Sequence, residues 1–359
     1  METSYSHKPY FFVPLADKPD RSQALSRQNL LAENNRIGKL NVFMECLTPL
    51  HFGSGKLVFD ESAKSFSHSL LRENNRIALP GSAAKGMIRS VFEAVTESCV
   101  LNAPRDLPSK VGNLRACADN ANICPACSVF GRLNYKGKLI FRSFYTDAEP
   151  VTLSIPPLEQ PFRTYPRPDR HERDPRSGNE RLYYGDFHDT HGLDVARLAK
   201  KEFFIKKAKE PHSGGSFYGR KFYRHSNNWN VLTRNAGNDS FECLPVGAVL
   251  DGKIAYQGLS EDEEGALLFA LGLGWSQPIY YKLGYAKPAF MGSVRLTVVP
   301  EAMPRYQGMP MTADEIETKA SRYYERHRQF IADTVDALSQ EWSQIGDSMW
   351  TMQNDKLGY

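Results

Sequence analysis

Residues 79–90 read Leu79-Pro80-Gly81-Ser82-Ala83-Ala84-Lys85-Gly86-Met87-Ile88-Arg89-Ser90, and few local structures accommodate that order. A short apolar approach (Ile77, Ala78, Leu79) stops at a Pro-Gly break, where proline offers no N–H and glycine favours a turn. Ser82 suits an N-cap, and Met87, Ile88, Val91, Phe92 and Val95 follow at helical spacing. The stretch predicts a strand end, a break and an amphipathic helix from Ser82 to about Cys99. The first turn of such a helix leaves N–H groups without partners, which favours an anion there. Lys85 and Arg89, four residues apart, can flank that anion from one face. The same spacing also suits a capped core helix with two solvated bases. A phosphate loop for nucleoside triphosphates is excluded here, because no Gly-Lys pair followed by Ser or Thr is present.

Four of the six cysteines gather in one region: Cys99, Cys117, Cys124 and Cys127. Cys124-Pro125-Ala126-Cys127 puts two sulfurs on one tight turn, the knuckle that tetrahedral zinc requires, and Cys99 and Cys117 complete a Cys₄ set. A redox Cys-x-x-Cys is the competing reading, but no thioredoxin-like unit surrounds it. A site closed by four thiolates has no place for a reactive water, so the expected zinc is structural. Cys46 and Cys243 read as small buried residues.

The remaining chain supplies an α+β order. Leu40, Val42, Met44 and Cys46 alternate with polar residues in a half-buried strand, followed by the glycine-rich turn His51–Gly55. Lys56 to Asn75 reads as a hairpin and Lys138 to Phe144 as a strand. The strand from Asp251 to Gln257 enters a capping box, Ser260 to Glu263, whose helix runs to Gly272. A glycine-bearing loop precedes the last strand, Val294 to Val299. Strand, helix, middle strands, helix, strand is the order of a ferredoxin-like or RNA-recognition-motif-like core. Residues 1–38 form an N-terminal arm, 39–299 the core with a zinc loop at 99–131 and a basic insertion at 149–230, and 300–359 a helical extension. That extension opens on a capping box, Thr312 and Glu315, and continues as a long helix to about Ile345.

Net charge is only +4, but it is unevenly placed: residues 163–224 carry 15 Lys/Arg against 9 Asp/Glu, and residues 301–359 carry 6 against 10. The basic insertion interleaves arginines with Phe162, Tyr165, Tyr183 and Tyr184, which suits either a segment lying on RNA or an unpacked insertion. No run of about 18 apolar residues exists to span a membrane, and the polar start (Thr3, Ser4, His7, Lys8) lacks a signal peptide's apolar core. A cytoplasmic protein is expected.

Four segments in order carry a resemblance: Leu47-Thr48-Pro49-Leu50-His51-Phe52-Gly53-Ser54-Gly55, the Pro80–Arg89 stretch, Cys124 to Gly131, and Lys282-Leu283-Gly284-Tyr285-Ala286-Lys287-Pro288. Together they resemble the RAMP superfamily, the RNA-binding backbone proteins of CRISPR effector complexes, and look most like its type III members. The resemblance spans about residues 40–299. It implies a subunit that polymerises with copies of itself along a guide (crRNA) and binds target RNA and other effector subunits. Contacts would be sequence-independent, since a guide's spacer varies while the protein does not. The residues implicated are His51, Gly53, Ser54 and Gly55; Ser82, Lys85 and Arg89; Arg220 and Lys221; and Gly284, Tyr285 and Lys287. The family's loop usually has glycine where this chain has Ala286. A zinc is often carried at the place of the cysteine cluster.

Enzyme signatures are sparse. No H-E-x-x-H, G-x-S-x-G or dinucleotide fingerprint occurs, and the zinc-deaminase reading fails for want of an upstream His-x-Glu. In type III relatives that slice target RNA, an aspartate follows the glycines of the first motif; here that position is Lys56. An ammonium repels a divalent ion where a carboxylate would bind it. Asp60 is the candidate catalytic carboxylate if the loop shifts. The expected protein is a scaffold that leaves cutting to a separate nuclease, as in type VII systems. A metal-dependent RNA endonuclease, slicing through Asp60 or processing the guide, is the alternative.

Overall fold

The computed structural model describes residues 10–16, 18–21, 36–61, 65–100, 114–120, 122–155, 219–227, 229, 240–301 and 311–339. In chain order the strands and helices begin with β1 (Tyr10–Val13), β2 (Arg36–Cys46), β3 (Gly53–Asp60), β4 (Ser65–Leu70), β5 (Arg72–Glu73), β6 (Arg76–Leu79) and α1 (Gly81–Ala94). Then come α2 (Pro125–Phe130), β7 (Leu139–Phe141), β8 (Phe144–Thr146), β9 (Val151–Ser154), β10 (Arg220–Tyr223) and β11 (Ser240–Cys243). The last are β12 (Val249–Leu259), α3 (Glu261–Ala270), β13 (Tyr281–Lys282), β14 (Ser293–Pro300) and α4 (Ala313–Leu338). Most of the basic insertion, including Phe162, Tyr165, Tyr183 and Tyr184, lies outside the described residues, as do residues 22–35 and the chain beyond 339.

The main sheet runs β13-β14-β2-β12-β8-β6-β5, with β7 also on β12. All its pairings are antiparallel. β2 and β8 therefore run parallel with β12 between them, and α1 lies between them in sequence; β12, α3 and β14 repeat that unit. Two such interleaved units make the ferredoxin-like fold expected from the element order. β2 alternates as its sequence requires: Leu40, Val42, Met44 and Cys46 point into the core, and Phe43 and Glu45 point away. Size is matched across neighbouring strands. A Cβ on Gly252 would lie 2.4 Å from the Phe144 ring, and one on Gly38 would lie 2.3 Å from Tyr256, so each glycine makes room for an aromatic ring.

α1 buries Met87, Ile88, Val91 and Phe92 against this sheet and α3, each apolar side chain contributing about 1.5–3 kcal/mol of burial. Its ends differ from expectation. The N-cap is Pro80, whose carbonyl accepts from Ala83, so Ser82 sits exposed within the first turn. The helix stops at Ala94, not near Cys99: the Thr96 hydroxyl donates to the Phe92 carbonyl and pairs with Ser98, competing with the backbone bond that would extend the helix. Lys56 to Asn75 forms two hairpins, β3–β4 and β5–β6, where one was expected. The first belongs to a second sheet, β3-β4-β11-β9, and β1 pairs with β10 apart from both.

Both predicted capping boxes are present, at Ser260 and Thr312. Glu263 does more than cap. Its carboxylate accepts from Ser260 N, from Ser128 Oγ at 2.6 Å, and from Lys138 Nζ at 2.6 and 2.8 Å, with the two ionised side chains 5% and 2% exposed. α4 lies on α3, with Ile316, Ala320, Tyr323, Ile331 and Val335 buried. Lys319 bonds Glu264, and the Tyr323 hydroxyl donates to the Val95 carbonyl. Among the described residues no helix is long and apolar enough to cross a membrane.

Removing one member of a buried, hydrogen-bonded pair leaves the other charge without compensation. Glu263→Ala is expected to lower the unfolding free energy by about 3–5 kcal/mol in urea titration, and the double variant Lys138→Met/Glu263→Leu to recover most of it.

Candidate nucleic-acid interface and metal centre

The glycine-rich segment after β2 is not a free turn. His51 is buried, and its Nδ1 lies 2.7 Å from the Glu242 carbonyl. Burial lowers its pKa, so the ring is neutral near pH 7 and already occupied. Its own carbonyl accepts from Tyr285 N at 2.9 Å. Gly284 makes that approach possible: its φ is +76°, and a Cβ there would stand 2.2 Å from the His51 oxygen. Gly53, Ser54 and Gly55 open β3 through a register shift, with Ser54 Oγ taking Lys56 N and Ser69 Oγ.

From this segment the backbone bonds run on. Leu71 N donates to the Phe52 carbonyl and Ala78 N to the Leu71 carbonyl, two residues before the Pro80 that caps α1. The structure thus joins His51–Gly55 directly to Gly284–Tyr285, and the β5–β6 hairpin leads from there to the strand that enters α1. Arg220 and Lys221 are elsewhere. Arg220 bonds Glu93 near the other end of α1, about 16 Å along the axis from Ser82 at 1.5 Å per residue. Arg220 is buried and spends its other donors on the Ser98 and Cys99 carbonyls; Lys221 lies over the Tyr223 ring.

The two bases of the α1 motif also part company. Arg89 turns inward, with Nε on Glu93 at 2.7 Å and Nη1 on the Gly131 carbonyl at 2.7 Å. Lys85 is half-buried, its pKa lowered by burial and then by repulsion from Arg89. Gly86 beside it is exposed, and a Cβ there would meet nothing within 4 Å. A mid-helix glycine costs about 1 kcal/mol relative to alanine, and no internal contact accounts for this one. Together with Ser82 and Ser90, both exposed, it leaves the outer face of α1 low enough for a bulky ligand to reach the backbone.

On the loop side, Tyr285 is 42% exposed and stacks on Phe241 at 5.1 Å, which stacks in turn on His68 at 4.5 Å. Lys282 points inward, Nζ donating to the Phe290 and Met291 carbonyls. Lys287 is half-buried, and burial lowers its pKa. Phe241, His68 and the Arg72–Glu242 pair went unrecognised in the sequence. Their partners are remote along the chain, and the only local signal is the in–out alternation of Ser240–Cys243.

The four cysteines come together as their spacing predicts. Cys99, Cys117, Cys124 and Cys127 are buried, with all Sγ atoms within 4.8 Å of one another and Cys99 to Cys127 at 3.6 Å. A tetrahedral ion with Zn–S near 2.3 Å would set neighbouring sulfurs about 3.8 Å apart. Cys99 N donates to Cys124 Sγ and Cys124 N to Cys117 Sγ, the sulfur acceptors that thiolate ligands provide. α2 starts directly after Cys124, so Cys127 returns to the same point one turn later. Donor set and geometry fit a zinc ion held by all four. Cys46 and Cys243 differ: burial pushes each thiol up to about 12, which leaves them inert.

The core is ferredoxin-like, and its glycine-bearing loop, stacked exposed tyrosine and half-buried base near a helix start are groups that a nucleic-acid strand could meet. This chain belongs to the RAMP superfamily, whose family model matches residues 43–271. It is accordingly a CRISPR-associated RNA-binding protein. A search of curated proteins finds no match.

The Glu242 carboxylate accepts from Leu70 N and twice from Arg72, which holds it below its ordinary pKa of 4.5. The stabilisation exists while the group is ionised and is lost as pH falls through the depressed value. Unfolding free energy is expected to be level from pH 7 to about pH 5 and to fall below about pH 4.5. Glu242→Gln should flatten that fall and cost about 1.5–3 kcal/mol at pH 7 by denaturant titration.

Proposed function

We propose that this protein is a backbone subunit of a CRISPR effector complex that polymerises along guide RNA and holds the guide–target duplex without reading its sequence. The observation that carries this reading is the hydrogen-bonded junction of His51–Gly55 and Gly284–Tyr285, from which the β5–β6 hairpin leads to α1, within a family whose members bind CRISPR RNA. It offers backbone groups, an exposed ring and an ammonium, with no fork of side chains suited to a particular base edge. Lys85, Lys56 and Lys287 would meet phosphates, and Tyr285 would stack on a base. The cell interior is the expected compartment. A structural zinc on Cys99, Cys117, Cys124 and Cys127 would close the loop between α1 and α2.

The scaffold reading, with cleavage left to another subunit, gains support from the register of β3. Lys56 occupies the position where slicing relatives carry aspartate, and Leu57 to Asp60 pair regularly with His68 to Ser65. Asp60 is thereby fixed four residues further along the strand, about 13 Å from Lys56 at 3.3 Å per residue. A slicer acting through Asp60 would need that pairing to break.

Purified protein is expected to carry unrelated RNA sequences with equal affinity. Lys85→Ala should weaken all of them alike and reduce the slope of log affinity against log salt by about 1. A changed sequence preference at constant slope would contradict the phosphate role. Fresh, reduced protein should hold about one zinc per chain by elemental analysis and unfold at lower temperature once chelated. A guide-loaded filament with matched target RNA and Mg²⁺ should leave the target intact. Regularly spaced cuts that vanish in Asp60→Ala would make this chain the slicer.

A further inference from the structure

Among the groups that the RNA reading does not use, Arg89 carries a buried atom that has no partner among the described residues. Arg89 is 14% exposed. Its Nε is on Glu93 and its Nη1 on the Gly131 carbonyl, but Nη2 is inaccessible to solvent and bonds no protein atom among the described residues. An unpaired guanidinium N–H in such a place is costly, of the order of 1–3 kcal/mol. The side chain keeps its inward position beside the cysteine cluster all the same. Gly131 follows α2, and its N–H donates to the Cys127 carbonyl. The guanidinium lies over Phe130 at 5.9 Å; burial works against its charge, and the neighbouring Glu93 carboxylate outweighs that and raises its pKa.

A second arginine reaches the same place from another part of the chain. Arg220 bonds the free oxygen of Glu93 at 2.7 Å and the Ser98 and Cys99 carbonyls at 3.0 and 3.1 Å. Glu93 thus lies between two guanidiniums that both touch the cysteine loop. Four thiolates around a divalent ion carry a net charge of −2, and burying that charge requires cations or N–H donors nearby.

We propose that Arg89 and Arg220, bridged by Glu93, form a cationic bracket that supports the metal centre by holding the Gly131 and Cys99 carbonyls at the two ends of the cysteine loop. The two bases of the α1 motif then divide their work: Lys85 faces the nucleic acid, and Arg89 serves the metal. Arg220 extends the bracket to the β1–β10 pair, so the N-terminal strand is tied to the same centre. This rests on the zinc reading above. Arg89 is a positioning residue, acting on the ion only through its ligands.

The test uses the full-length protein as wild type, Arg89→Lys and Arg89→Gln, each loaded with zinc or with cobalt(II) as a spectroscopic substitute. Arg89→Gln is expected to release zinc to a colorimetric chelator about 10- to 100-fold more readily. Its sulfur-to-cobalt charge-transfer band should move to longer wavelength, because thiolates that lose a neighbouring cation are easier to oxidise. Arg89→Lys keeps the cation but not the fork and should fall between, and it decides alone if Arg89→Gln does not fold. The salt dependence of RNA binding should stay at the wild-type slope in both. Wild-type zinc release with an unmoved band would overturn the bracket, as would a salt slope reduced by about 1 with the metal properties unchanged. Wild-type protein that takes up neither zinc nor cobalt would overturn the zinc reading itself.

Discussion

Glu263 is where the pieces of this fold are fastened together. One buried carboxylate receives the Ser260 amide that starts α3, the Ser128 hydroxyl of α2 and the Lys138 ammonium just before β7. A buried carboxylate with three donor groups around it is stable only if all three segments are in place at once. The cysteine loop is therefore not an appendage. Ser128 sits next to Cys127, so the ligand set is anchored to the second helix of the core as well as to the end of α1. The local capping box and the long-range ion pair share the same atoms, and a purely local signal in the sequence hides a tertiary role.

That overlap explains what was legible in the chain beforehand. β2 and β12 announced themselves because their alternation is a local consequence of having one buried face, and the cysteines because a metal needs fixed ligand spacing. The interleaved strand–helix order followed from these and from two capping boxes. Destinations of buried charges were not legible. Arg89 and Arg220 look like surface bases suited to phosphates; Glu93 stands one helical turn from Arg89, but nothing local says that Arg220 joins it from 127 positions away. Glu242 meets Arg72 across 170 residues of sequence, and His51, an apparent turn residue, loses its ring nitrogen to a backbone carbonyl 191 positions away. Ser82 was misjudged for a smaller reason: Pro80 already provides the entry geometry, so the cap moved two residues upstream.

α1 emerges as an element with two different ends. Its first turn, with exposed Ser82, Gly86 and half-buried Lys85, is open to a ligand; its last turns, with Arg89, Glu93 and the Val95 carbonyl, are engaged by α2, β10 and α4. A rigid rod about 20 Å long joins them. Charge placed on one end cannot be exchanged for charge on the other, although both read as one motif.

The loop that carries Tyr285 has its own peculiarity. Ala286 and Phe290 both adopt left-handed backbone angles, φ +55° and +60°, conformations that cost a side chain of L configuration about 1–2 kcal/mol each. They persist because Lys282 pins the Phe290 and Met291 carbonyls from within and because Ala286 and Phe290 are themselves buried. The loop's conformational entropy has thus been surrendered during folding rather than on encounter. On the proposed reading, a base that settled on Tyr285 would meet a surface already in its bound shape, and that advantage would appear mainly as a slower departure of the strand, not a faster arrival.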